Sequence, residues 1–179
     1  QAGAAALIRQ YVKYSGTFGS NIDPVTVTSR VNQLMMSTAD IVYNKNGLPY
    51  AVRKQGAGLV NMTKATTTAS YITTYENGTA MDKSKLELGD DKTKSGKYQM
   101  TFAINNLTSS KLTYDVGSIV MTEGVSKTYT GHDDTTVTQE GYLLDGKTTV
   151  TSVEGGTKSG NAVTVNANGV AKVTVEIVL

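Results

Sequence analysis

Apolar residues recur at helical spacing early in the chain and alternate with polar ones later. From Ala2 to about Tyr14 the run "AGAAALIRQYVKY" is rich in helix formers, with Leu7, Ile8, Tyr11 and Val12 as an apolar stripe and Gly16 as its stop. No capping residue precedes this helix, as expected of one cut in mid-pattern, and Gly3, Ala4, Ala5 and Ala6 leave room for another backbone. A second helix is signalled by Asp23-Pro24, and Val27, Val31, Leu34 and Met35 form its stripe. Two short extended pieces flank the turn at Asn46-Gly47, and "LVNMTKAT" reads as a short closing helix. Residues 1–68 thus predict helix, helix, hairpin, helix.

Beyond Thr68 the pattern changes to short runs rich in Thr, Val and Tyr: "SYITTYE", "SKLEL", "KYQMTFAIN", "KLTYDVGSIVMT", "SKTYT", "EGYLL", "TTVTSVE", "NAVTVNA" and "VAKVTVEIVL". Met100, Phe102 and Ile104, and again Val170, Val173, Val175 and Ile177, are spaced as on strands with one buried face. Turn signals such as "LGDDKTKSG" and "EGGTKSGN" separate these runs. About seven to nine short strands so punctuated predict an antiparallel β-sandwich over residues 69–179. The predicted class is mainly β, with a helical segment before the sandwich.

Composition narrows the function classes. Lys and Arg total 17 against 15 acidic residues, a net charge of +2, and the lysines are interspersed with acids, so no nucleic-acid footprint is expected. No apolar run approaches the roughly 18 residues that span a bilayer. Cysteine is absent, which removes disulfides and thiolate chemistry, and a single histidine, His132, rules out a multi-histidine metal centre within the chain. Gln1 is neither an initiator Met nor the start of a leader segment, so the chain reads as a piece of something longer.

"LMMSTA" ending a helix, followed by "QGAGLVNMTKA", resembles the C-terminal end of the catalytic domain of subtilisin-like serine proteases, the large Gram-positive cell-envelope subtilases in particular. In that family a Gln/His-Gly-x-Gly turn packs the last strand under the domain, and close backbone approach with positive φ favours glycine there. "AGAAALIRQY" looks like the second half of the helix whose first turn carries the catalytic serine, about half a dozen residues before the position of Gln1. "KYQMTFAINNLTSSKLTYDV" and "AVTVNANGVAKVTVEIVL" resemble the fibronectin-III-like domain that follows. The resemblance implies residues 1–68 as the incomplete end of a protease α/β domain and 69–179 as a fibronectin-III-like sandwich. It also implies an extracellular or cell-wall location. The expected partners are the remainder of the protease domain and the parent's protein or peptide substrates.

This chain departs from a working protease: it contains no Gly-Thr-Ser-Met-Ala and neither the Asp nor the His motif of the triad. It is expected to be inactive alone, the sandwich bracing the catalytic domain and aiding substrate presentation. No catalytic, cofactor-binding or metal-ligating residue is assigned. Ser15, Ser29 and Ser37 lack a positioned base. Gly56-Ala57-Gly58 lacks the spacing of a phosphate loop, and Arg53-Lys54 reads as a solvated edge. His132 to Asp134 and Asp90-Asp91 carry metal and calcium readings outweighed by solvated turns, so no cofactor is expected, calcium being kept open for the parent alone.

Asn61, Asn77 and Asn106 open glycosylation sequons without expected consequence, and Tyr71, Tyr75, Tyr98, Tyr114, Tyr129 and Tyr142 read as sheet packing before a carbohydrate or peptide platform. The competing reading is an immunoglobulin-like surface adhesion or binding module, and a third is a spacer. If the helices lack the sheet they normally cover, Leu7, Ile8 and Val12, with Val31, Leu34 and Met35, must pack on the sandwich or on a second copy of the chain.

Overall fold

The computed structural model describes residues 2–130 and 134–179, with the backbone alone over 125–130 and 134–140. Helix α1 (Ala2–Tyr14) and α2 (Pro24–Ser37) form where the apolar spacing places them. Asp23 caps α2 by accepting hydrogen bonds at Oδ1 from Val25 N and Thr26 N, both 3.0 Å, and Pro24 holds the first helical position, where no N–H is needed. Asn61 caps the short α4 (Met62–Thr67) by accepting from Lys64 N at 3.0 Å. One further turn, α3 (Val52–Gln55), falls inside the stretch expected to be extended.

The helical stripes cover one another. Ile8 and Val12 of α1, Val27, Val31 and Leu34 of α2 and Ala65 of α4 form one core, which takes in Tyr71 from the first strand. Tyr11, Phe18 and Tyr71 continue it in edge-on and tilted ring contacts. The stripes thus find their partner within the chain, in each other and in the sheet's edge. Leu7 is the exception, 53 % exposed, because it lies to the solvent side of Ile8.

Ten strands follow among the described residues, paired antiparallel throughout. A five-stranded sheet has the order β2 (Thr79–Met81), β1 (Ser70–Glu76), β3 (Lys97–Asn106), β10 (Val170–Val178), β7 (Lys147–Glu154). A three-stranded sheet runs β4 (Leu112–Asp115), β9 (Ala162–Val165), β8 (Gly156–Ser159), and β5 (Val120–Thr130) with β6 (Asp134–Leu144) makes a long two-stranded ribbon. Val163 and Val165 of β9 pack on Ile104, Val150, Ala171, Val173 and Val175 of the larger sheet, so two antiparallel sheets share one core. The protein is mainly β, in an arrangement consistent with a β-sandwich.

Three strand expectations need correction. Val170 is not on the core face: it is an odd number of residues from Val173, so it points outward with Lys172 and Thr174, and Ala171 takes its slot. Ser84–Leu88 forms no strand. The edge of β1 pairs instead with β2, while Thr74 donates to the carbonyls of Lys83 and Lys85 and the Ser84 hydroxyl donates to Ile72 O at 2.5 Å. In "EGGTKSGN" the first glycines are no turn. There the chain passes from β7 in one sheet to β8 in the other, and a Cβ on Gly155 would lie 2.3 Å from Val170 O and one on Gly156 2.4 Å from Thr164 O.

Candidate functional site

Three local devices build the seam between the chain's helical and β parts, the first of them lying wholly within residues 40–64, in the loop on which the β ribbon rests. The first is "QGAG". Asp40 and Leu59 exchange backbone hydrogen bonds of 2.9 and 2.8 Å, which brings Gly58 against the Asp40 carbonyl. Gly58 has φ +123°, and a Cβ there would stand 2.3 Å from Asp40 O. Only glycine fits. Gly56, at φ +61°, closes α3 through its N–H to Val52 O at 2.6 Å and has open space around it. The Gln55 amide staples the loop: its Oε1 accepts from Val42 N at 2.8 Å and its Nε2 donates to Tyr50 O. Asp40 also accepts from Asn61 Nδ2 at 2.8 Å and pairs with Lys64, and the Lys64 and Asn61 bonds hold its carboxyl below the usual range.

The second device adds an ion pair to the edge expected at Arg53-Lys54, both of which are exposed. The turn of α3 brings both cations to Glu123 near the root of the β5–β6 ribbon, Arg53 Nε on Oε2 and Lys54 Nζ 2.9 Å from Oε1. Glu123 keeps 10 % of its side chain exposed, whereas Arg53 keeps 60 % and Lys54 39 %. Hydrogen bonds from Lys54 and then Arg53 hold its carboxyl below the usual range. Opposite Glu123 on β6 is Gly141, where a Cβ would lie 3.0 Å from Pro49 O. The ribbon thus rests on the same loop that "QGAG" closes.

The third device joins α2 to the loop after β2. Gln33, with no exposed surface, accepts at Oε1 from Arg30 Nη1 at 2.5 Å and donates from Nε2 to Asp82 Oδ1 at 2.6 Å. Arg30 reaches the same oxygen at 3.1 Å and lies over the Tyr71 ring, 4.9 Å from its centre. Burial alone would raise the Asp82 pKa; hydrogen bonds from Ser29 and Gln33, with Arg30, bring it below the ordinary value. The Ile72 N–H donates to Ser37 Oγ at 2.9 Å, so two of the nominal serines serve the seam. Nothing in the one-dimensional pattern marked Gln33, Asp82 or Glu123, since their pairing depends on residues 49 to 70 positions away.

The remaining candidates do not converge. Asp91 organises its own loop by accepting from Gly96 N at 2.9 Å and from Thr93 and Ser95, with the backbone of Gly96 the foremost cause of its lowered pKa. Asp90 serves the same loop through its backbone, its carbonyl accepting from Lys92 N at 3.0 Å. His132 and Asp133 lie outside the described residues. Among the described residues, no three His, Asp or Glu side chains gather as a metal group, and no helix is long and apolar enough to cross a membrane. Asn61 is a helix cap and Asn106 is buried, while Asn77 stands exposed at the β1–β2 turn. Tyr71 is in the helical core and Tyr114 bonds Ser70 at 2.7 Å; the side chain of Tyr129 lies outside the described residues.

Neither a protein-family model nor a curated protein matches the chain.

The seam is mechanical in its chemistry. It holds charges in pairs and backbone in close approach, and its two serines, Ser29 and Ser37, are engaged with Asp82 and with Ile72 N.

Proposed function

We propose that the chain is the non-catalytic C-terminal part of a secreted or cell-envelope subtilisin-like serine endopeptidase, in which a fibronectin-III-like β part braces the helical end of the protease domain. The observation that carries this reading is Gly58. In "QGAG", the stretch on which the resemblance rests most specifically, it has the positive φ and the close backbone approach expected of that turn. The grip of Glu123 on Arg53 and Lys54 supports the bracing role, because it ties the β ribbon to the residues just before the turn. In the parent, Ser-His-Asp residues would cleave peptide bonds, and this part would add stiffness and help present substrate.

The test is the coding frame ahead of Gln1. A Gly-Thr-Ser-Met-Ala-like motif within about ten codons, with Asp and His motifs further upstream, is the expected result. A frame without these motifs would overturn the reading.

A further inference from the structure

We propose that the outward face of the five-stranded sheet binds a neutral oligosaccharide. This inference does not depend on the protease reading. It begins from the register of the strands: Thr101 of β3 lies opposite Thr174 of β10, which lies opposite Ser152 of β7. Three hydroxyl-bearing residues therefore lie in a row across three strands whose backbones are about 4.8 Å apart, close to one sugar ring per strand. The Thr101 and Thr174 hydroxyls bond each other at 3.1 Å, which keeps both oriented and leaves the pair one free donor and several free lone pairs. Gln99, exposed one step along β3, adds an amide with both donor and acceptor.

These groups line a groove of about 860 Å³, with Tyr75 and Lys172 at its β1 and β10 strands and Glu87 and Leu88 from the loop. That volume falls within the ~300–1,000 Å³ of small-molecule sites, yet the lining is mostly polar. Its charges are already paired. Lys172 bonds Glu154 at 3.0 Å and stands 5.3 Å from the Tyr75 ring centre, Glu76 bonds Lys83 at 2.6 Å, and Glu87 pairs with Lys85. A face whose ions are neutralised, and whose other groups are chiefly hydroxyls, with two amides, an aromatic ring and two leucines, matches a ligand that offers hydroxyls and no net charge. A phosphate or acidic polymer would find no uncommitted cation among the groove's lining residues.

The experiment titrates the full chain with neutral hexasaccharides of glucose, mannose and N-acetylglucosamine. It follows tyrosine fluorescence, which no tryptophan obscures, together with backbone amide shifts. Saturable binding with Kd between about 10 μM and 1 mM is expected, with shifts on β1, β3, β7 and β10 and little dependence on salt. Gln99→Ala, at an exposed position that leaves folding intact, should weaken binding about five- to tenfold, and Thr174→Val by a similar factor. Four results would each overturn the proposal. They are no saturation by about 10 mM ligand, shifts confined elsewhere, binding unchanged by Gln99→Ala, and preference for a sulfated hexasaccharide that salt abolishes.

Discussion

Gly58 faces the carbonyl of Asp40 so closely that the two cannot be separated by a side chain: a methyl group on Gly58 would sit 2.3 Å from that oxygen, which the Asp40–Leu59 bridge holds in place. Gly56, two residues earlier, shares the positive φ but not the crowding. Gly58→Ala should therefore destabilise the chain by about 3 kcal/mol and Gly56→Ala by about 1 kcal/mol, backbone strain alone accounting for the smaller figure. Urea unfolding midpoints at unchanged m-value measure both. Equal costs would mean that conformation, not close approach, sets the need for glycine here.

Glu123 makes the docking of the β5–β6 ribbon sensitive to acid. Lys54 and Arg53 depress its pKa below the ordinary 4.5 in the folded chain. The unfolded chain therefore takes up the proton first as pH falls, and the stabilisation is complete above the unfolded value and lost as pH drops through the folded one. The stability difference between the native chain and Glu123→Gln should be constant from neutral pH down to about 4.5 and shrink below it. A difference that does not change with pH would show that Glu123 contributes through its shape and not its charge.

What could be read in one dimension was set by local patterns, and what could not depended on distant partners. Ile8, Val12, Val27, Val31 and Leu34 are buried because helical spacing puts them on one face, and β1 begins and ends at the residues where "SYITTYE" does. Asp23-Pro24 announced α2 because a cap and a donor-free first residue are local chemistry. Strand β8 was missed because Gly155 and Gly156 look like a turn, whereas their missing side chains serve the passage between two sheets. The seam was largely hidden. Its glycine turn was legible in "QGAG", but Arg53, Lys54 and Glu123 are ordinary surface residues until the fold brings them together, and Gln33 sits among apolar neighbours with no sign of its polar partners.

Gln33 and Asp82 should behave as a coupled pair. Asp82 is half in solvent, so its own charge contributes little. Its removal strands the amide of a fully buried glutamine. Asp82→Ala is expected to cost about 1–2 kcal/mol on that account. In a double-mutant cycle with Gln33→Ala, the coupling should be about 1 kcal/mol. Strict additivity of the two substitutions would dissolve the joint between α2 and the loop after β2 as an energetic unit.

Adjacent Leu7 and Ile8 give the last test, because they separate a helix that completes its own core from one that waits for a partner. Ile8 has no exposed surface and is packed among Val12, Val31 and Leu34, while Leu7 is more than half exposed. Ile8→Ala should cost about 3 kcal/mol through lost burial and the cavity left behind, and Leu7→Ala less than about 0.5 kcal/mol. If the core closes within one chain, the unfolding midpoint of either variant is independent of protein concentration. If a second copy completes it, mass action raises the midpoint as concentration rises, and Leu7→Ala weakens that dependence. The enclosure of both stripes by α4 and Tyr71 predicts the first outcome, and light scattering across the same concentrations checks it directly.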